Sequence, residues 1–410
     1  MKKQRLLLLV LLVVAVCLYA GGKAEETSEM KVVKIGTLGP LTGPGAMWGL
    51  QQRQAAVIWA ETVNDRGGLL VAGERYHIEV PGYDDKFDNA VARTACEKAI
   101  LDGVKFLIGP NNEVQNAAIR DICHAAKVIN IGIYWDPKGT GPDTPFSWCG
   151  MMQLPQATPL LLDLILEKYD VKRIGYCFWD IPASRIVQDD IAQVARDKGL
   201  VVTDETFFAP GQVTDFYPYA SRMIKGNPDV LDMRGGPQEV GLFAKSLREL
   251  GYKGLIISEH ELDPNEIISV GKEDADGIIT QMWMYDPATA TPELRDFHDR
   301  YVKAYGTWDS AIATKLLHPF FLAAAIQKAG STTDTEAIVR EMQTLQLKSP
   351  YQEGSPLIRA TGMEYYGANN QIAVPFPIGQ IQDGKPVALD VFYLPAEAGV
   401  TYEPPYEFQW

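Results

Sequence analysis

The chain is 410 residues long, with a formal net charge of −14 and a hydrophobic fraction of 46%. Its acidic balance excludes nucleic acid as a partner, because phosphate binding needs clustered lysine and arginine. The length exceeds one ordinary domain, so two are expected, and no run after residue 20 is long and apolar enough to span a bilayer, which takes about 20 residues.

Lys2, Lys3 and Arg5 precede an apolar run from Leu6 to Ala20, and Gly21, Gly22 and Lys23 restore polarity. This reads as a signal peptide over residues 1–20, which places the mature chain in the periplasm or on the extracellular face of the cytoplasmic membrane. Two endings stay open. Cleavage falls near Ala20, or Cys17 carries a lipid anchor, since Val14-Ala15-Val16-Cys17 resembles a bacterial lipobox with Val16 in place of a small residue. Such an anchor is the sole membrane attachment expected. Cys96, Cys123, Cys149 and Cys177 follow. An oxidising compartment permits disulfides, four cysteines allow three complete pairings, and buried free thiols are the plainer reading. No C-x-x-C spacing suggests zinc.

In chain order, Lys34–Leu38 reads as a strand, and the loop through Pro40, Gly43, Gly45 and Trp48 leads into a helix from about Gly49. Asn64-Asp65-Arg66-Gly67-Gly68 stops that helix, since glycine takes the left-handed cap. Strands at 77–80, 105–108 and 128–131 alternate with helices from Asp88 to before Gly103 and over 114–126. Strand-helix alternation predicts a parallel sheet. An irregular Pro- and Gly-rich stretch from Pro137 to Pro155 precedes a second series. Strands at 173–178, 230–233, 255–258 and 277–281 alternate with helices from Ser184 to Gly199 and from Pro237 to Gly251, each carrying one apolar stripe. Three helical segments follow, 292–305, 311–329 and 335–345, and then a hairpin, 378–381 and 387–393, around Asp383-Gly384. The helical block is too small for a core of its own and is expected to pack back onto the first half.

Signatures of catalysis are missing. The glycine-rich loop lacks the endings that cradle phosphate, there is no G-x-S-x-G or H-E-x-x-H, Asp274-Ala275-Asp276-Gly277 is only a fragment of a calcium loop, and the five histidines are scattered. A non-enzyme without cofactor or metal is expected, although a triad assembled only in space has no sequence signature.

Several stretches together carry a resemblance: Ile35-Gly36-x-x-Gly39-Pro40-Leu41-Thr42-Gly43, Asn64-x-x-Gly67-Gly68, Tyr83-Asp84-Asp85, Asp102-Gly103-Val104 with Ile108-Gly109-Pro110, Asp215-Phe216 and Asn227-Pro228-Asp229-Val230. In order and spacing they resemble the periplasmic leucine/isoleucine/valine-binding family of ABC importers over nearly the whole mature chain. The resemblance implies an α/β fold of the type I periplasmic binding protein class: two doubly wound parallel-sheet lobes joined by three crossovers, with a ligand between them. Lobe 1 would comprise residues 31–150 plus 284–355, and lobe 2 residues 153–281 plus 367–400, with crossovers near 151–154, 281–285 and 356–367. It also implies an extracytoplasmic solute-binding protein that delivers a small molecule to the permease subunits of an ABC importer. A ligand-sensing receptor module of the same fold is the alternative.

In such a fold, ligands sit outside the carboxyl ends of the strands. Trp48 then supplies an aromatic wall at the lip of the first lobe, against packing between lobes as the plainer role. Family members that bind aliphatic amino acids hold the carboxylate with hydroxyls and backbone N–H groups on the loops after the third and fourth strands. Here these loops read Asn111-Asn112-Glu113 and Tyr134-Trp135-Asp136, whose two acids would repel a carboxylate. The family's acidic grip on the ligand amine corresponds to Glu259 or Glu261 after the strand at 255–258. Trp179 and Trp283 add aromatics at cleft-facing ends, and Arg234 either meets a ligand carboxylate or neutralises Glu239. An aromatic, acidic cleft suits an amino acid, amide or amine-like ligand.

Overall fold

The computed structural model describes residues 30–43, 45–308 and 311–410; the stretch read as a signal peptide, with Cys17 and Ala20, lies outside the described residues. Strand β1 (Lys31–Gly39) leads into helix α1 (Ala46–Asp65). Strands β2 (Leu69–Val71), β3 (Glu74–Glu79) and β4 (Gly82–Asp84) follow, then α2 (Asn89–Leu101), β5 (Phe106–Ile108), α3 (Glu113–Ala126), β6 (Ile129–Gly132) and β7 (Ser147–Cys149). Strands β4, β1, β5, β6 and β7 lie side by side in that order, all parallel. Their buried, alternating side chains separate two layers. Val33, Ile35, Phe106 and Ile129 face α1, whereas Leu38, Leu107 and Val128 face Cys96 of α2 and Cys123 of α3. Asp88 and Asn112 start α2 and α3 by accepting backbone N–H groups of the first turn.

Helix α4 (Leu154–Lys168) opens the second series: β8 (Arg173–Trp179), α5 (Pro182–Asp197), β9 (Val201–Phe208), α6 (Tyr217–Met223), β10 (Val230–Arg234), α7 (Pro237–Glu249), β11 (Leu255–Glu261), α8 (Pro264–Gly271) and β12 (Ile279–Gln281). Strands β9, β8, β10, β11 and β12 form a second parallel run in that order. Ile174, Tyr176, Phe178, Val230 and Ile257 face α4 and α5, and Cys177, Leu231, Met233 and Ile256 face α6 to α8. Pro182 and Pro237 sit in the first turns of α5 and α7, where a missing N–H costs nothing.

After β12 the chain returns to the first core through α9 (Pro292–Tyr305), α10 (Ile312–Ala329) and α11 (Thr335–Thr344), whose apolar faces join α1 in one cluster. Strands β13 (Gln346–Leu347), β14 (Ile358–Thr361) and β15 (Gln371–Ile372), with the short helix α12 (Met363–Tyr366) between the last two, extend the first sheet beyond β7. The hairpin β16 (Phe376–Gln382) and β17 (Lys385–Phe392) then completes the second sheet. One expectation therefore needs correction. The third crossing lies at residues 373–375, not 356–367, because β14 and β15 pair into the first sheet. The chain also returns after β17: Phe408 is buried in the first core against Trp59 and Phe320, so the C-terminal segment belongs with that half.

Candidate functional site

Each parallel run has strand order 2-1-3-4-5, so each has a switch point, between β1 and β5 in one sheet and between β8 and β10 in the other. The segments leaving the carboxyl ends of these strands carry Trp48, Asn111 to Glu113, Trp179 and Arg234; the end of β11 carries Glu259 to Glu261. Side chains from the two halves meet there. Trp48 and Trp179 pack edge to face with centroids 6.1 Å apart. Trp135 stacks on His260 at 4.9 Å, and His260 lies 5.7 Å from Trp179. Phe87 extends the row beside Trp48 at 6.1 Å.

The glycines of the first loop serve the protein's own contacts. A side chain at Gly39 would strike the Asn111 side chain, and one at Gly49 would strike the Pro40 carbonyl. Leu41 and Thr42 are held from below by Asp84, whose carboxylate accepts the Leu41 N–H at 2.8 Å and the Thr42 hydroxyl at 2.5 Å.

The second half contributes a buried charge cluster. Arg234 is 1% exposed, donates to Asp232 at 2.9 Å and to Glu259 at 2.6 Å, and lies 4.6 Å over the Phe178 ring. Glu259 also accepts the Thr158 hydroxyl of α4 at 2.7 Å. Burial pushes the Glu259 carboxyl up to about 7 against the pull of Arg234. Burial and the Arg234 charge hold the His260 imidazole down near 4, so it is neutral at ordinary pH. Its Nδ1 lies 3.2 Å from the Gly235 carbonyl. Glu239, by contrast, is engaged by Trp179 Nε1 at 2.5 Å and by the backbone N–H groups of Gly211 and Gly236, both at 2.8 Å. Arg234 therefore does not neutralise Glu239.

The remaining acids also have partners. Glu113 is 6% exposed; burial pushes its pKa up, against a smaller pull from the backbone N–H of Ala183 at the start of α5, in the opposite half. Asp136 closes its own turn by accepting the Lys138 N–H at 2.9 Å. Glu261 accepts Thr314 Oγ1 at 2.7 Å and Lys315 Nζ at 2.6 Å, both from α10 of the first half. Asn112 is the N-cap of α3.

Tyr134 and Trp283 lie apart from this set. Tyr134 turns into the protein beside Cys149 and Tyr366, in space left by Gly132 and Gly139. Trp283 is 3% exposed and packs on Tyr351 at 4.4 Å in the core of the first half. Asp232, His260 and Thr158 were not singled out from sequence. A carboxylate two residues before Arg234 on one strand shares its face, which is a readable signal; Thr158 carries none.

Among these residues, several fully buried polar atoms have no partner in the protein: Arg234 Nη1, Glu259 Oε1, Asp232 Oδ1, Tyr176 Oη, Ser258 Oγ, His260 Nε2, Trp135 Nε1, Glu113 Oε1 and Asn111 Oδ1. Native interiors satisfy nearly all such groups. Most of them lie at or near the carboxyl ends of the two parallel runs, beside the rings of Trp48, Trp135, Trp179 and His260. Among the described residues, no group of histidine, cysteine and carboxylate side chains is arranged to hold a metal ion.

A family model for the periplasmic binding protein matches residues 32–385. A Leu/Ile/Val-binding protein homolog of Brucella melitensis is 24% identical to the chain, over 87% of it and 94% of the relative. The crystal structure of the leucine-binding protein LivK of Thermotoga maritima superposes with a TM-score of 0.73 at 22% identity, covering 88% of this chain and 98% of that one. A solute-binding protein of an ABC transporter from Rhodopseudomonas palustris, solved in complex with 3,4-dihydroxy benzoic acid, gives a TM-score of 0.71 at 19% identity, over 90% and 99% of the two chains.

Proposed function

The chain belongs to the periplasmic binding protein family, and we propose that it captures one small polar molecule between its two halves outside the cytoplasm and delivers it to the permease subunits of an ABC importer. The observation that carries this reading is the meeting of Trp48, Trp135 and Glu113 from one half with Trp179, Arg234, Glu259 and His260 from the other, around polar atoms without partners. A site divided between two halves closes by rotation at the few residues that connect them. It needs no group that breaks bonds.

The ligand chemistry follows from the same atoms. Glu113, Asp232 and Glu259 each present a buried carboxylate oxygen without a partner, and the ring faces of Trp48, Trp135 and Trp179 border them. A ligand rich in N–H donors, an amine or an amide, satisfies those oxygens, while the rings cover its apolar or cationic part. Arg234 Nη1 remains available to an amide oxygen. A free aliphatic amino acid fits less well, because Glu113 and Asp136 stand on the loops that would face its carboxylate.

Native mass spectrometry of the purified chain tests the capture: one small molecule per chain is expected, lost on unfolding. Calorimetric titration then tests the class. An amine or amide should bind, while leucine, isoleucine and valine should give no heat; tight leucine binding would overturn the ligand class while leaving the capture intact. A receptor module would bind in the same way and would differ in its partner, so co-purification with a permease separates the two.

A further inference from the structure

Helices α2 and α3 pack side by side on the face of the first sheet that does not meet α1, and each buries one cysteine in the seam. Cys96 and Cys123 are both 0% exposed, and their sulfurs lie 3.5 Å apart. The surrounding side chains, Leu107, Ile119, Ala92 and Val128, offer no hydrogen-bond partner that would hold either thiol in its place. The other two cysteines are placed differently. Cys149 ends β7 and contacts the Gln153 amide and the Met151 carbonyl, and Cys177 lies inside β8 of the second sheet.

We propose that Cys96 and Cys123 are a native cross-link, a disulfide that ties α2 to α3 when the chain folds in an oxidising compartment. Sulfurs already in contact stand within a small rotation of bonding distance, and the two helices that carry them are packed side by side. The chemistry is thiol–disulfide exchange. One cysteine thiolate attacks the disulfide of an oxidised dithiol protein or of oxidised glutathione and forms a mixed disulfide; the second cysteine displaces the carrier thiolate. The pair loses two electrons and two protons, and the carrier disulfide becomes two thiols. This precedes the closing of the seam, because no reagent reaches the sulfurs once the helices pack. In the folded chain the neighbouring Cys96 and burial push the Cys123 thiol up, away from the reactive thiolate. Cys149 and Cys177 stay reduced. The cross-link fixes α3, whose first turn presents Asn112 and Glu113 at the site, against the sheet.

The inference rests on the extracytoplasmic location proposed above, and the test separates the two. The full chain is recovered from the exported fraction of cells and, in parallel, refolded from the reduced, unfolded state in a glutathione redox mixture. Free thiols are alkylated in denaturant and the chain is digested with trypsin without reductant, which cuts between the cysteines at Lys98, Lys105 and Arg120. A linked peptide pair containing Cys96 and Cys123 is expected in both samples, with Cys149 and Cys177 alkylated. Refolding from the reduced, unfolded state with reductant kept throughout should give a chain that melts about 3 to 8 °C lower. Cys96→Ser should lower the melting temperature similarly and abolish the response to reductant. Alkylation of all four cysteines in the refolded sample, or a different pair, would overturn the proposal. A pair in the refolded chain but not in the exported one would uphold the cross-link and contradict the location.

Discussion

Arg234 ends a central strand with its guanidinium sealed between Asp232 and Glu259, each about 1% exposed at the side chain. Removing the cation leaves two carboxylates facing each other away from water, and breaking a buried pair in this way costs about 3 to 5 kcal/mol. Arg234→Met should therefore lower the urea midpoint severely, and an unchanged midpoint would show that the cluster is not sealed. Trp48 behaves oppositely. It is half-buried at the start of α1 and, among the described residues, its ring meets those of Phe87 and Trp179, so Trp48→Ala should weaken ligand binding by about 1 to 3 kcal/mol with little loss of stability. Calorimetry that finds wild-type affinity with a lowered melting point would make Trp48 a packing residue. His318, buried in α10 with Nε2 2.6 Å from the Gly150 carbonyl, is held down near 4 by its burial. An unfolded histidine takes up its proton near pH 6.5, so between about 6.5 and 4 the unfolded chain binds more protons. Stability from His318 is complete above that window and is lost as pH falls through it. Replacing it, as in His318→Gln, should flatten the fall in urea midpoint between pH 7 and 5. At this scale the sequence revealed which positions stand at strand ends, and so Trp48, Trp135, Trp179 and Arg234. It did not reveal direction: Tyr134 and Trp283 also follow strands but turn into cores, because neighbouring glycines or a facing Tyr351 accept their rings.

Among the elements, the interior parallel strands were legible because burial on both faces makes them short apolar runs. Strand β9, at the edge of the second sheet, was not: Thr203, Asp204 and Glu205 interrupt its apolar residues, and Arg222 of α6 and Arg196 of α5 pair with the two acids. Strands β13 to β15 are two to four residues long, too short for a period to show, and this moved the third crossing in the sequence reading. One contact between elements carries a prediction of its own. Glu261 at the end of β11 holds Thr314 and Lys315 of α10, which joins the second half to the first beside the site. Glu261→Gln should weaken ligand affinity roughly three- to tenfold, about 1 kcal/mol, chiefly through faster dissociation. Stopped-flow release with an unchanged rate would exclude this contact from closure.

At the scale of the whole molecule, the account is of two sheets that share a binding site. The sequence expressed the duplication of the series and the resemblance to a binding-protein family. The C-terminal return of Phe408 and Trp410 to the first core left no period or motif to read. The central claim is that the halves close around a ligand, with Trp48 and Trp135 meeting Trp179 and His260 only when they do. Small-angle X-ray scattering of the unfolded and refolded, ligand-free chain, repeated after adding back the molecule identified by native mass spectrometry, tests it most directly. The account predicts a smaller radius of gyration with the ligand present; an identical scattering profile at saturating ligand would contradict it.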